Sequence, residues 1–210
     1  MEIIKALKWR YATKKFDINK IISNDTLQVL KESFNLTASS YGLQPVKLII
    51  VSNKSTLKEL VPISSNQQQI GQASHLFIFC VDTNVNEAYI RTYFENIKSI
   101  RNTPEATLSS FRESLISGFE RKSSDNIFNW GAKQAYLALG NMLTVCAIQK
   151  IDSCPMEGFD PVAYDNYFNL KELGLRSVLV LPIGYRAGED VFANMKKVRK
   201  DLKDSIIEIK

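Results

Sequence analysis

The chain has 210 residues, of which 45% are hydrophobic and 23% are charged. This length predicts a single domain spanning residues 1–210, and the composition excludes a disordered or fibrous protein. A formal net charge of +5 permits an anionic partner, such as a nucleic acid, a membrane surface or a phosphorylated ligand. Lysines scattered over helices are usually only a solvated face, so the positions of the charges must decide.

The N-terminal residues contain no long apolar run and no small-residue cleavage site, so they do not resemble a secretory signal. The three cysteines, Cys80, Cys146 and Cys154, show no paired spacing, which favours free thiols in a reducing compartment. We therefore expect a cytoplasmic protein. His75 is the single histidine and begins an apolar run, so we expect a structural role for it and no metal site.

The first part of the chain is predicted to alternate helices with two buried strands. Apolar periodicity and capping residues predict helices at residues 2–9, 25–35, 55–61 and 66–73. A β-branched run predicts a strand at 46–51, and a continuous apolar run predicts another at 75–81. Residues 84–125 are predicted to form an excursion of two helices over the core.

A long apolar helix dominates the second part of the chain. From Trp130 to Ile148 nearly every residue is apolar or small, which predicts a helix buried on all sides. At about 1.5 Å per residue it would span about 30 Å, close to the diameter of a small domain. Polar residues such as Lys133 and Asn141 interrupt the run too often for a membrane span. Small residues such as Gly140 would let another backbone approach closely.

The remaining elements complete an α+β fold. A short helix is predicted at residues 162–167, and strands are predicted at 176–183 and 205–209. Together with the earlier elements they predict a small mixed sheet with helices around it. A terminal strand without a hairpin partner needs a sheet edge, and another subunit can supply one.

Five short motifs follow one another along the whole chain. They are RYATK at residues 10–14, SSYGLQP at 39–45, AKQAYLALGN at 132–141, PMEGFD at 155–160 and KVR at 197–199. Each motif is weak alone, but together they resemble the oxygen-insensitive bacterial nitroreductase and dihydropteridine reductase family. The resemblance implies a three-layer α/β/α sandwich and a homodimer that exchanges its C-terminal strand. It also implies tightly bound FMN at the subunit interface, with NADH or NADPH as hydride donor.

The phosphate of FMN carries close to two negative charges, and the chain has no dinucleotide-binding glycine motif. Side-chain cations must therefore hold the phosphate. The resemblance assigns Arg10, Lys197 and Arg199 to it, and the alternative for the last two is a solvated basic tail. Tyr11 and Ala12 stand where the family usually has a histidine or arginine and a serine, and both changes weaken the phosphate contacts.

The resemblance assigns other residues to the flavin ring. Lys14 matches a lysine at the pyrimidine edge, where positive charge stabilises the anionic reduced flavin. Asn66 matches an amide that contacts the ring. Gln69 stands where nitroreductases often carry a second lysine, so we expect a lower flavin potential.

The loop after the long helix is expected to lie flat along the flavin. Its residues are Pro155, Met156, Glu157 and Gly158. A backbone N–H near Glu157 would be directed at flavin N5, since a backbone donor is fixed in place and does not titrate. No side chain is expected to act as a catalytic acid or base.

The resemblance also implies that the loop at residues 39–45 serves the partner subunit. Ser39, Ser40 and Gly42 would complete the partner's flavin site. Residues expected to line the substrate pocket are Tyr41, Phe119 and Phe128.

The leading hypothesis is therefore an FMN-dependent reductase that works by a ping-pong mechanism. NADH or NADPH delivers a hydride to flavin N5, and an electron-poor acceptor such as a nitroaromatic, a quinone or a pterin then takes it. One alternative is a flavin-binding protein without catalysis. Another is a nucleic-acid-binding protein using the basic residues 196–200, with binding that falls steeply with salt. No nucleic-acid-binding motif accompanies these charges, so we expect neither nucleic acid nor membrane as partner.

Overall fold

The computed structural model describes residues 2–210. Its helices are α1 (Glu2–Trp9), α2 (Asn24–Asn35), α3 (Lys54–Glu59), α4 (Gln69–Gln72), α5 (Glu87–Arg101), α6 (Glu105–Glu120), α7 (Ser124–Ile148), α8 (Pro161–Tyr167) and α9 (Leu202–Ser205). Its strands are β1 (Val46–Val51), β2 (His75–Asp82), β3 (Asp152–Ser153) and β4 (Leu175–Gly184). Short 3₁₀ helices lie at Ser40–Gly42 and Val191–Asn194.

The four strands form one sheet in the order β1-β2-β4-β3, covered by helices on both faces. Since side chains alternate along a strand, β2 contributes Phe77 and Phe79 to a cluster with α2 and α7. Leu76 and Ile78 enter a second cluster with α3, α4 and α8. The predicted α+β sandwich with three layers is confirmed. All named strand pairs are antiparallel, and parallel pairing within residues 2–210 is limited to an isolated bridge between Ala12 and Ser153.

Capping residues set the starts of the helices. Asn53 Oδ1 accepts hydrogen bonds from the N–H groups of Ser55 and Thr56, both at 3.0 Å, so α3 begins at Lys54, one residue before the predicted start. Ser123 Oγ accepts from the Asn126 N–H at 3.2 Å and starts α7 well before the predicted apolar run.

Helix α7 is less buried than predicted. One side packs on the sheet through residues such as Ala135 and Met142. On the other side Tyr136 and Leu137 are 44% and 55% exposed, and no atom lies within 4 Å of a Cβ built on Gly140. The prediction of burial on all sides is wrong for the single chain, because α1, α2 and the sheet leave part of the helix uncovered.

The excursion at residues 84–125 consists of α5 and α6, which pack on each other around their own apolar cluster. Trp130 of α7 packs against this cluster. The Tyr89 hydroxyl donates to the carbonyl oxygens of Leu43 at 2.9 Å and Gln44 at 3.1 Å. Helix α5 therefore holds the loop at residues 39–45.

Strand β3 was not predicted, because two residues are too short to show a pattern. It pairs with the end of β4 and brings the following loop to the sheet edge. The Cys154 N–H donates to the Pro182 carbonyl at 3.1 Å, but proline has no N–H to return. The ladder therefore stops there, and the loop joins β4 again only at Met156, which exchanges two hydrogen bonds with Val180 at 2.9 and 3.0 Å.

The predicted strand at 205–209 is wrong for the single chain. Helix α9 ends at Ser205, and the residues after it pair with no strand in the described part of the chain. Ile207 and Ile209 are 90% and 95% exposed. A strand needs a neighbouring edge for its hydrogen bonds, so the exchange with a partner subunit stays a prediction. No helix between residues 2 and 210 combines the length and the apolar character needed to cross a bilayer.

Candidate functional site

One carboxylate organises the segment after α1. Asp190 Oδ2 accepts hydrogen bonds from the Tyr11 hydroxyl at 2.9 Å and from the N–H groups of Lys14 and Lys15 at 2.9 and 3.1 Å. Burial opposes ionisation of this carboxyl, but the donors outweigh burial and lower the pKa of Asp190. Sequence reasoning missed Asp190, whose signal was an acidic residue at the start of a turn that ends at Asn194.

An ion pair braces the same segment from the sheet. Arg186 Nε donates to Asp152 Oδ1 at 2.8 Å, and the Arg186 N–H donates to Asp152 Oδ2 at 2.9 Å. The Arg186 guanidinium lies 4.3 Å from the ring centre of Trp9 and 4.6 Å from that of Tyr11. These contacts connect the end of α1 to β3 and the end of β4.

Three cations expected at a phosphate meet in one cleft of about 390 Å³. Arg10, Lys197 and Arg199 all line it. Lys197 Nζ donates to the carbonyl oxygens of Leu7, at 2.9 Å, and of Arg10. Burial and the charge of Arg199 lower the pKa of Arg10, and burial with the charges of Arg10 and Arg199 lowers that of Lys197. Mutual repulsion of this kind is relieved by an anion among the cations.

The Arg10 guanidinium also has an unused donor. Its Nε is buried and makes no hydrogen bond to any group in the described chain. A buried donor of this kind without an acceptor costs about 1–3 kcal/mol of folding free energy. The cost is higher when the group is charged. A phosphate oxygen would satisfy it, so the residues of the cleft fit the phosphate of FMN. Lys197 is folded back onto α1 and is not part of a freely solvated tail.

Lys14 lies beside the start of the loop at residues 155–158. Its Nζ is 3.8 Å from Cys154 Sγ. Burial raises the pKa of Cys154 although Lys14 and Gln69 oppose the shift, so the thiol is neutral at pH 7. Gln69 is buried, and its Nε2 donates to Gln67 Oε1 at 2.9 Å. Asn66 lies nearby at the surface in a left-handed conformation, with φ of 55°.

The loop at residues 155–158 is held at several points. Besides the pairing of Met156 with Val180, the Tyr136 hydroxyl donates to Glu157 Oε1 at 2.5 Å. Gln67 Nε2 donates to the Gly158 carbonyl at 2.9 Å. The Glu157 N–H donates to no acceptor within residues 2–210. Sequence reasoning gave no role to Tyr136 or Gln67, although Tyr136 lies within a motif that carried the resemblance.

The loop at residues 39–45 lies apart from the cation cleft of its own chain. The Ser40 N–H donates to Gln134 Oε1 at 2.8 Å, whereas Arg10 lies close to Cys146. These two positions on α7 are about 18 Å apart at about 1.5 Å per residue. The single chain therefore does not bring Ser39, Ser40 and Gly42 together with Arg10.

The aromatic residues expected at a substrate pocket are divided between two places. Tyr41 has a left-handed φ of 59°, is 52% exposed and packs its ring against Phe119 at 6.3 Å between centroids. Phe119 is itself 3% exposed and packs edge-on against Trp130, so the expectation that it lines an open pocket is wrong for the single chain. The α5–α6 cluster claims it as a core residue.

Phe128 lies in a different groove of about 750 Å³, which Tyr136 also lines. The Arg176 guanidinium is 3.9 Å from the ring centre of Phe128.

A Cβ on Gly42 would collide with the hydroxyl of Tyr93 in α5, and the φ of Gly42, 74°, is one that residues with a side chain rarely adopt. Glycine is therefore required at this position of the loop.

His75 and the cysteines are placed as structural residues. His75 is buried and its Nδ1 is 2.9 Å from Ser74 Oγ; burial, with Lys54 and Lys31 nearby, lowers its pKa. The cysteines are all buried and free. Between residues 2 and 210, no group of three or more His, Cys, Asp or Glu side chains is placed to hold a metal ion.

The chain is similar to known proteins both in sequence and in fold. A family model described as "Nitroreductase family" matches residues 7–185. The oxygen-insensitive NAD(P)H nitroreductase of Salmonella typhimurium is 30% identical over 217 aligned residues, which cover 100% of both chains. A nitroreductase-like protein from Streptococcus mutans shares the fold with a TM-score of 0.86 at 23% identity, over 99% of this chain and 98% of that one. A protein from Exiguobacterium sibiricum, solved in complex with FMN, gives 0.86 at 18% identity over 100% and 98%.

Replacing Asp190 with asparagine should loosen the segment of residues 10–15. An amide oxygen accepts the three donors less strongly than a carboxylate, so we expect a loss of about 1–3 kcal/mol of unfolding free energy at pH 7. The folded-state pKa of Asp190 is below its ordinary value of 3.8, so its stabilisation is fully present above that pH. It is lost as the pH falls through the folded-state pKa. Urea unfolding from pH 7 to pH 2 should show the two proteins converging in acid.

Glu189→Gln is the matched control, because Glu189 is an exposed neighbour that pairs with Lys15 at 2.9 Å on the surface. Such a pair contributes about 0–1 kcal/mol. A loss for Asp190→Asn no larger than that for the control, or a constant difference down to pH 2, would contradict the role given to Asp190.

Proposed function

Because the chain belongs to the nitroreductase family, we propose that it is an FMN-dependent oxidoreductase that carries electrons from NADH or NADPH to a small electron-poor acceptor. The observation that carries this proposal is the cleft in which Arg10, Lys197 and Arg199 meet around the unpaired Arg10 Nε. Nitroaromatics, quinones and pterins are the acceptor classes proposed.

The cofactor is proposed to lie along the segment after α1 and the loop at residues 155–158. Arg10, Lys197 and Arg199 would bind its phosphate beside Tyr11 and Ala12. The residues proposed along the ring are Lys14, Asn66, Gln69, Pro155, Met156, Glu157 and Gly158. Ser39, Ser40 and Gly42 of a second subunit would close the site, and Tyr41 would offer its exposed ring to the acceptor.

Bound FMN would supply two-electron transfer between nicotinamide and acceptor in ping-pong order. The chain's own residues bind and orient. The ammonium of Lys14 supplies a positive charge, and the Glu157 N–H supplies a donor that does not titrate. The proposal needs no side-chain acid or base, because the residues act by position and electrostatics.

We also propose a homodimer with α7 as the centre of its interface. The exposed side of α7 carries Tyr136, Leu137 and Gly140, and the C-terminal residues Ile207 and Ile209 are almost fully exposed. Contiguous exposed apolar surface is typical of an interaction site, and these residues of α7 lie on one side of the helix. The distance between Arg10 and Ser40 within one chain agrees with a loop that serves a partner's site.

The alternative of nucleic-acid binding has less support. Lys197 donates to the Leu7 carbonyl of α1, and it lines a concave cleft together with Lys196 and Arg199. A protein that binds flavin without catalysis would differ from the proposed enzyme only in having no turnover. An activity assay therefore distinguishes the two. Three buried free thiols agree with a cytoplasmic location.

Purified protein should be yellow with FMN and should oxidise NADH or NADPH when menadione or nitrofurazone is present. Changing Lys197→Gln and Arg199→Gln together should weaken FMN binding at least about tenfold, because two charge-assisted contacts to phosphate are lost. Titration of the FMN-free protein with FMN, followed by flavin fluorescence, measures this change.

Lys200→Gln with Lys203→Gln is the matched control, since it removes the same charge from the same segment outside the cleft. Equal weakening in both double variants would contradict the cation site, and colourless protein that takes up no FMN would contradict the function. FMN binding without oxidation of either nicotinamide would favour the non-catalytic alternative.

Gln69→Lys should raise the midpoint potential of bound FMN. A buried amide would be replaced by a cation beside the loop at residues 155–158, which stabilises the anionic reduced flavin. A rise of tens of millivolts is expected, since about 30 mV corresponds to ~1.4 kcal/mol for two electrons. Gln68→Lys adds the same charge at an exposed neighbouring position, and a rise equal to that control, or none, would contradict the placement of Gln69.

A tryptophan at Gly140 should dissociate the dimer and release FMN together. Since a Cβ there meets nothing within 4 Å, the fold of the single chain should tolerate the change. Light scattering after size-exclusion chromatography measures subunit mass, and absorbance measures bound flavin. Gly118→Trp, at a helical glycine of α6 with the same open space, is the control. Loss of FMN from an intact dimer, or a monomer that keeps its FMN, would contradict the prediction that dimerisation and FMN binding are lost together.

A further inference from the structure

We propose that Tyr136 and Gln67 are positioning residues that hold Glu157 and Gly158 from two sides and thereby fix the direction of the Glu157 N–H. This inference rests on the proposed function, in which that N–H faces the flavin. Tyr136 belongs to α7, which packs on one face of the sheet, and Gln67 precedes α4, which packs on the other. The two tethers thus come from opposite layers of the fold.

The backbone of the loop gives the N–H its general direction. The Val180 N–H donates to the Met156 carbonyl at 3.0 Å, so that carbonyl points at β4. In a trans peptide the next N–H points the opposite way, so the Glu157 N–H is directed away from the sheet. It meets no acceptor in the described chain. The pairing with β4 does not fix the tilt of this peptide plane. The tilt depends on the contacts that residues 157 and 158 make.

Tyr136 restrains the Glu157 side chain. The hydrogen bond of 2.5 Å from its hydroxyl to Glu157 Oε1 is short, as expected for a donor to a carboxylate. The same bond, with burial, raises the pKa of Tyr136 to about 12, so the phenol remains a donor throughout the neutral range. Tyr136 is mounted on a helix of 25 residues, a rigid support for a site. Since both side chains are partly or fully exposed in the chain, the bond contributes little to folding.

Gln67 restrains the other end of the same two residues. Its Nε2 donates to the Gly158 carbonyl at 2.9 Å, and its Oε1 accepts from the buried Gln69 at 2.9 Å. The Gln69 amide therefore sets the orientation of the Gln67 amide. A Cβ on Gly158 would lie 2.8 Å from Gln67 Nε2, so glycine is what permits the amide to approach.

A second phenol in the chain provides a matched comparison. The Tyr167 hydroxyl donates to Glu59 Oε2 at 2.5 Å and links α8 to the end of α3. This pair has the same chemistry and distance as Tyr136 with Glu157, but neither residue lines the cation cleft or the loop at residues 155–158. Removing its hydroxyl should affect only the local surface.

The test uses the FMN-loaded protein and the variants Tyr136→Phe, Gln67→Leu, their combination and Tyr167→Phe. The rate of flavin reduction by whichever nicotinamide the wild type oxidises is measured by stopped flow, with the visible flavin spectrum, FMN content and unfolding temperature. Tyr136→Phe and Gln67→Leu should each slow reduction about tenfold, as slight misplacement of a reacting group does. They should shift the flavin spectrum while FMN content and unfolding temperature stay at wild-type values, and Tyr167→Phe should match wild type throughout.

Because both residues act on one stretch of backbone, their effects should be coupled. The rate of the double variant should differ by more than about threefold from the product of the single effects, beyond the scatter for independent sites. Independent, multiplicative effects would overturn the shared role. Unchanged rate and spectrum in both single variants would also overturn it, as would slowing that follows loss of FMN or a lower unfolding temperature. A wild type without FMN or nicotinamide oxidation would refute the proposed function and this inference together, whereas an active wild type with insensitive variants refutes only the inference.

Discussion

The paired hydrogen bonds between Met156 and Val180 are the constraint on which the candidate site depends. They attach a loop without regular structure to β4, a strand buried in both apolar clusters. Everything else in the loop is oriented relative to that attachment, including the Glu157 side chain that reaches Tyr136 on α7. The core of the protein thus sets the position of a surface loop, which is how a flexible segment acquires the precision that binding and catalysis require.

In the other half of the site, charges that are paired within the chain lie next to charges that are not. Asp190 gathers donors from the segment after α1, and the pair of Arg186 with Asp152 ties that segment to the sheet. Next to these paired charges lie Arg10 and Lys197. Arg10 Nε has no acceptor in the described chain, and burial with repulsion between the cations of the cleft lowers the pKa of both side chains. Structural charges are paired within the chain, while charges of the cleft are arranged for an external anion.

The fold was predictable wherever its cause is local. The β-branched run at 46–51 became β1 with the predicted bounds, and the helix predicted at 25–35 became α2, which Ser23 caps. The predictions failed where the cause lies in distant residues or outside the chain. The apolar sequence of α7 does not show that one side lacks a covering surface, and Asp190 acquires its partners only through folding. Among the proposed site residues, the cations could be named from sequence, but the tether from Tyr136 to Glu157 depends on two elements meeting in space.

Pro182 has a further consequence for the path of the chain after β3. It accepts from Cys154 but offers no N–H in return, so the regular pairing of β3 with β4 ends at this point. The two residues after Ser153 therefore have one hydrogen bond to β4 in place of a full ladder, until Met156 pairs with Val180. By interrupting the ladder, the proline lets the chain leave the strand direction and become a loop while it is still attached to the sheet on both sides of the interruption.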